Sequence, residues 1–212
     1  MHRFFIKTPW IVKKIFSSYV WNMSGTEKSI YLSFDDGPHP EITPFVLEEL
    51  KKYNAQASFF CIGNNVVLYP EVYRQILNEG NVVGNHTYSH PNGWETTSEE
   101  YIKDIAAASK YIDSSLFRPP YGRIKKAQAK EVPKAMNNRD AKIIMWDVLS
   151  ADFDTRFSPG QCLNNVIRNC RNGSIVVFHD SEKAFPNLKY SLPLALKKLS
   201  DDGYAFKRIE GL

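Results

Sequence analysis

The sequence predicts an α/β fold: a barrel of parallel βα units, shortened or incomplete beside the eight-fold form. Three observations carry that expectation. From Ser29 onward, short β-branched or aromatic runs alternate with longer amphipathic segments, the pattern of parallel strands joined by crossover helices. Seven such runs can be counted, at 30–34, 57–62, 81–85, 116–118, 142–147, 174–178 and 204–209, with no linker, low-complexity tract or repeat dividing them. An eight-fold barrel typically takes about 250 residues, whereas this chain has 212.

The local signals follow in order. The first run leads into Asp35-Asp36-Gly37-Pro38, after which Thr43-Pro44 ahead of Phe45 opens a helix. The second run contains Cys61, which reads as a small core residue, and Gly80 stops the helix before the third. Thr97 with Glu100 forms a capping box for the next helix. The fourth run is short, and the helical pattern at 124–138 behind it is interrupted by Pro133. Trp146, inside the fifth run, reads as core. Ser158-Pro159 with Gln161 starts another helix, the sixth run ends against His179, and Gly203 stops the last helix before the seventh.

Composition excludes several classes. With 43% hydrophobic and 24% charged residues the chain reads as one soluble globular domain. A core of this size buries about 70% of the unfolded surface, enough to stand without disulfides or a structural metal, so a metal here would serve chemistry. Lys and Arg number 27 against 23 Asp and Glu, giving +4. The excess lies in residues 1–26, which hold Arg3, Lys7, Lys13 and Lys14 and no acid, while 27–212 balance. A nucleic-acid binder would spread basic surface over its folded body, so no nucleic-acid partner is expected.

No apolar stretch approaches the roughly 18 residues of a membrane span, and Lys13-Lys14 interrupt the apolar run that a signal peptide needs. The expected location is cytoplasmic or peripheral to the cell envelope. Thr8-Pro9 opens an N-terminal amphipathic helix in which Ile11, Ile15, Phe16 and Tyr19 share the apolar face and Lys13, Lys14, Ser17 and Ser18 the polar one. Such a helix packs across the barrel or, through residues 1–22, makes a peripheral membrane contact. Cys162 and Cys170, eight apart in a helical pattern, lie about 12 Å from each other, beyond disulfide reach.

The polar residues of interest follow the strands: Asp35-Asp36 the first, His86 and His90 the third, Arg118 to Tyr121 the fourth, Asp152-Phe153 the fifth, His179-Asp180 the sixth. In parallel βα barrels the loops after the strands gather on one face, so these five clusters converge. Taken singly, each has a plainer explanation. Asp35-Asp36-Gly37-Pro38 makes a good turn, yet two adjacent acids at the end of an apolar strand need a cation or a proton to coexist. His86 and His90 can both reach one ion, and two histidines with one carboxylate make the three-ligand set, with an open position, of catalytic metal sites. His179, at the end of a buried run, fits a hydrogen-bonded core histidine, and Arg118 a strand-edge cap or the partner of an ionised base. His2 and His39 read as surface residues.

Ser33-Phe34-Asp35-Asp36-Gly37, residues 86–90, Arg118-Pro119-Pro120-Tyr121-Gly122, Asp152-Phe153 and Val177-Phe178-His179 together resemble the five ordered motifs of the polysaccharide deacetylase (NodB homology) family of carbohydrate esterases. The resemblance runs from about Ile30 to the C-terminus. It implies a distorted, TIM-like (β/α)7 barrel and a catalytic domain over 27–212 that removes N-acetyl groups from N-acetylglucosamine-containing glycans of peptidoglycan or chitin type. It also implies that Asp36, His86 and His90 hold a divalent metal, usually zinc, with cobalt, nickel or manganese as alternatives. By position Asp35 would be the general base, Arg118 its tether, His179 the general acid, Asp152 the partner that keeps His179 charged, and Tyr121 the backbone donor to the oxyanion. Two positions depart from the pattern: Phe153 stands where Trp is common, and Val177 where Leu often lines the acetyl-methyl pocket. Tyr88, Trp94, Tyr121 and Phe153 are the aromatic residues of the expected site loops. A metal-dependent amidohydrolase acting on a non-sugar amide and a non-catalytic carbohydrate-binding relative are the competing readings, distinguished by acetate release.

Overall fold

A computed structural model describes residues 4–25 and 27–212; the readings of His2 and Arg3 lie outside the described residues. Among the described residues eight strands, β1 (Ser29–Asp35), β2 (Ser58–Cys61), β3 (Val82–Asn85), β4 (Leu116–Phe117), β5 (Lys142–Ile143), β6 (Val148–Leu149), β7 (Ile175–His179) and β8 (Ala205–Lys207), form one sheet. Its order is β5-β4-β3-β2-β1-β7-β6, every pairing is parallel, and β8 joins the first half of β1. Helices α1 (Trp10–Ile15), α2 (Ile42–Lys51), α3 (Gly63–Leu68), α4 (Pro70–Asn78), α5 (Ser98–Ala108), α6 (Lys126–Ala135), α7 (Pro159–Ile167) and α8 (Phe185–Asp201) complete it. The edge strands β5 and β6 are joined by residues 144–147 alone, a connection that spans at most roughly 18 Å. The sheet must therefore curl until its edges nearly meet, which gives the distorted barrel that the sequence predicts.

The fifth run departs from expectation. Residues 142–147 are not one strand: β5 ends at Ile143 and the chain crosses the seam to begin β6 at Val148. The N-terminal segment stands in that seam. Val20 N–H donates to Ile143 C=O at 2.9 Å, Met145 N–H to Val20 C=O at 2.7 Å, Thr8 N–H to Asp147 C=O at 2.9 Å and Leu149 N–H to Ile6 C=O at 2.8 Å. It is thus a strap across the barrel.

The amphipathic reading of this strap holds for Lys14, Ser17 and Ser18, which are exposed, and for Tyr19, which packs on the core, but not for Ile11, Ile15, Phe16 or Lys13. Helix α1 has only six residues, and Trp10, Ile11 and Ile15 are 70%, 53% and 68% exposed. Lys13 instead turns inward and, with Lys7 (2.5 Å), pairs with the buried Asp147, whose Oδ2 also accepts a bond from Ser174. A buried carboxylate needs cations more than the surface needs lysines. Burial raises the Asp147 carboxyl, and the bonds from Lys13 and Lys7 outweigh this and hold it below the ordinary carboxylate value.

Elsewhere the local signals match. Thr97 Oγ1 accepts from Glu100 N–H, Ser158 and Gln161 form a reciprocal capping box, and α6 forms despite Pro133. Helix α2, however, begins at Ile42, because His39 Nδ1 accepts the N–H groups of Glu41 and Ile42, which leaves Thr43 inside the helix and His39 half-buried. Strand alternation sorts the sheet's two faces. Leu32, Phe34, Phe59, Cys61, Val176 and Phe178 pack outward under the helices, while Phe60, Leu116, Ile144 and Ile175 form a separate cluster. All three cysteines are buried and free.

Candidate active site

The alternation that buries Phe34 and Phe178 under the helices turns Ser33, Asp35 and His179 the other way, beside Phe60. There Arg118 is fully buried. Its Nη1 donates to Asp35 Oδ1 at 2.6 Å and to Ser33 Oγ at 2.8 Å, Nε to Ile144 C=O at 3.2 Å and Nη2 to Met145 C=O at 3.1 Å, with the guanidinium 3.9 Å from the Phe60 ring centre. A guanidinium so fixed offers no freedom to the carboxylate it holds.

Past the ends of β1 and β3, Asp36 Oδ1 lies 3.2 Å from His90 Nε2 and 3.7 Å from His86 Nε2, and the three ligand atoms all fall within 4.8 Å of one another. His86 and His90 sit in a loop, not on a helix. His86 Nδ1 contacts Arg118 C=O at 2.7 Å; donation there leaves the Nε2 lone pair facing Asp36. Burial, countered in part by Asp35, brings the His86 imidazole down to about 4, so it is neutral at physiological pH. Asp36 Oδ1 is buried and accepts no hydrogen bond among the described residues. An orphaned carboxylate oxygen facing imidazole nitrogens fits a divalent cation.

A second pair faces this cluster. His179 Nδ1 lies 2.7 Å from Asp152 Oδ1, and His179 N–H donates to Asp152 Oδ2 at 2.8 Å. Burial acts to lower the imidazole, but the charge and hydrogen bond of Asp152 prevail and push it up to about 9. Tyr121, at φ +59°, lies in the turn after β4, whose main-chain bonds run from Gly122 to Pro119 and from Arg123 to Pro120 and so do not use the Tyr121 N–H. Its ring stands edge-on to His90 at 4.7 Å.

Asp35, Asp36, His86, His90, Tyr121, Phe153, Val177 and His179 line one cleft of about 590 Å³, while Arg118 and Asp152 support it from behind. Of the aromatic candidates, Phe153 stands edge-on to His179 at 4.9 Å and against Phe4 at 5.3 Å. Tyr88 packs instead on the core, and Trp94 lies outside the cleft under the Arg123 guanidinium. Trp146 is a correction: half-buried, it lines the cleft, because the fifth run leaves the sheet before reaching it.

Other contributors had no role assigned from the sequence, although Asp180 lies in one of its strand-end clusters. Ile62 and Asn65, after β2, also line the cleft. Asp104 accepts the N–H groups of Tyr88 and Ser89 at 2.6 and 3.0 Å and so shapes the histidine loop. Asp180 accepts Gly37 N–H, and burial pushes its carboxyl up to about 7. A strand-end position was the one available signal, and it covered Asp180 but not Asp104.

Comparison with known proteins places the chain in a family. A family model described as Polysaccharide deacetylase matches residues 22–138. A Bacillus cereus peptidoglycan-N-acetylglucosamine deacetylase is 34% identical over 77% of the chain, which spans 60% of that relative's length. A chitooligosaccharide deacetylase of Azorhizobium caulinodans is 35% identical over 73% of the chain and 74% of its own length. The crystal structure of the Bc1960 peptidoglycan N-acetylglucosamine deacetylase superimposes with a TM-score of 0.84, at 30% identity, covering 95% of each chain. The chain belongs to the polysaccharide deacetylase family.

Proposed function

We propose that this protein is a metal-dependent hydrolase that removes N-acetyl groups from N-acetylglucosamine-containing glycans, its catalytic unit being residues 27–212. The observation that carries this reading is the convergence, in one cleft, of the Asp36-His86-His90 cluster, the Asp35-Arg118 pair and the Asp152-His179 pair. Relatives named as peptidoglycan and chitooligosaccharide deacetylases supply the substrate class. Asp36, His86 and His90 would hold the ion, and two nitrogens with one oxygen suit zinc, with cobalt, nickel or manganese as substitutes. Such an ion polarises an amide carbonyl and lowers the pKa of water towards 7.

The chain's own groups divide the remaining work. Asp35, its Oδ1 held by Arg118, takes the proton of the attacking water on its other oxygen. His179, kept cationic by Asp152, donates from Nε2 to the departing amine, which leaves poorly as an anion. The Tyr121 N–H offers a donor to the oxyanion, a contribution typically worth about 3 kcal/mol. Val177, Phe153, Leu149 and Trp146 give the cleft an apolar wall for the acetyl methyl and the sugar face.

The test is acetate release from N-acetylglucosamine oligomers and from peptidoglycan, with and without a chelator. Asp35→Asn is expected to abolish turnover while zinc content is kept. Acetate release that survives chelation, or full activity in Asp35→Asn, would overturn the reading. The exposed Trp10, Ile11 and Ile15 beside the exposed Lys14 also favour a peripheral contact with anionic lipid. Sedimentation with phosphatidylglycerol vesicles that Trp10→Ser and Ile15→Ser leave unchanged would refute that contact.

A further inference from the structure

His179 and Asp180 are neighbours, but only His179 lines the cleft. Asp180 is 1% exposed, and its carboxylate is fully engaged away from the cleft. Oδ1 accepts Gly37 N–H at 3.0 Å, Oδ2 accepts the Thr43 hydroxyl at 2.5 Å, and the Asp180 N–H donates to Asp35 C=O at 3.1 Å. These contacts bracket Asp36 from both sides along the chain and tie its loop to the end of β7 and to α2.

Asp36 needs holding. Its φ of +83° is a left-handed conformation that a non-glycine residue adopts at a cost, and it persists where the surroundings over-determine it. Two other contacts restrain the loop: Asn65 Nδ2 donates to Asp36 C=O at 2.7 Å, and Ile62 N–H to Gly37 C=O at 2.9 Å. Asp180 restrains the opposite side, through the amide that follows Asp36. The fit there is close, since a Cβ at Gly37 would overlap the Asp180 carboxylate.

We propose that Asp180 is a positioning residue: through Gly37 N–H and Thr43 it holds Asp36 in the left-handed conformation that aims its carboxylate at His86 and His90. The inference rests on the metal ligation put forward above, and its test reads metal retention separately from deacetylation. Outer residues that orient ligands typically change metal affinity about 10- to 100-fold when removed.

The experiment follows transfer of Zn2+ from the loaded enzyme to a chromophoric chelator. Asp180→Leu is expected to release zinc at least about 10-fold faster, with an unchanged far-UV spectrum and a fall in kcat at constant KM. Asp180→Asn, whose amide oxygen still accepts Gly37 N–H, should stay within about threefold of the parent, and Thr43→Val should fall between the two. Should Asp180→Leu fail to fold, Thr43→Val carries the test. Parental zinc release in a folded Asp180→Leu or in Thr43→Val would overturn the proposal, as would equal damage in Asp180→Asn and Asp180→Leu. A parent that retains zinc but deacetylates no glycan would overturn the proposed function alone, leaving the release rates to decide this inference.

Discussion

Replacing Arg118 with methionine removes a buried cation and leaves its aliphatic volume largely filled. Arg118 has no exposure, and the four hydrogen-bond partners of its side chain are Asp35, Ser33 and the carbonyls of Ile144 and Met145. The two carbonyls and the Ser33 hydroxyl each lose a bond worth about 1 kcal/mol net. The dominant loss is the stranding of the Asp35 carboxylate, also buried, because breaking a buried pair from one side costs about 3–5 kcal/mol. Together these losses come to about 6–8 kcal/mol, a large share of the 5–15 kcal/mol of a typical domain, and the variant should melt at least about 12 °C lower.

Thermal and urea unfolding followed by circular dichroism measure this directly. The informative partner is the double variant Arg118→Met/Asp35→Leu, which removes both charges. It should regain at least about 2 kcal/mol relative to additivity, since an apolar replacement of a buried pair is often neutral. A melting loss under about 3 °C in Arg118→Met, or strict additivity in the double variant, would refute the assignment of Arg118 as the cation that makes a buried Asp35 tolerable.

Asp152→Asn should move the alkaline limb of kcat/KM to lower pH by about two units. His179, at about 9 in the parent, would then be governed by burial, which lowers it. Because its folded value is raised above the ordinary 6.5, the stability that this charge contributes is complete below pH 6.5 and lost as pH rises through about 9. Melting temperature between those pH values should fall more in the parent than in the variant; equal slopes would contradict this. Deleting residues 1–22 removes four main-chain bonds across the seam and the buried Trp21. These alone are worth at least about 7 kcal/mol, the loss of Lys7 and Lys13 from the buried Asp147 adds to it, and unchanged melting would show that the strap is not structural. Trp146→Ala should raise KM for oligosaccharides with kcat within about threefold, whereas an unaltered KM would return Trp146 to a packing role.

The site's clusters were legible because each follows a strand, and the two-residue period that places Phe34 and Phe178 in the core also dictates where Asp35 and His179 face. The residues that shape the loops were not legible. Asp104 and Asp180 act by accepting backbone N–H groups of other loops, 16 and 143 residues away, and no pattern of types or spacing encodes such a partnership. Helix α1 misled for a related reason. Its periodicity is sound, but the buried Asp147 decides which face turns inward, and Asp147 lies 134 residues from Lys13 and 140 from Lys7. Trp146 was misplaced because alternation describes a continuous strand, and residues 142–147 are not one.

That separation has a consequence for how the chain acquires its fold. The strap is synthesised first, but its bonding partners at the seam appear only after most of the barrel has been made. Until then the edges of β5 and β6 present unpaired backbone groups, a template for pairing with other chains. Docking of residues 4–25 closes a loop of well over a hundred residues, which places it late on the folding route. The interval before docking is when a nascent chain would be most exposed to association with its neighbours, and the strap is what ends that interval.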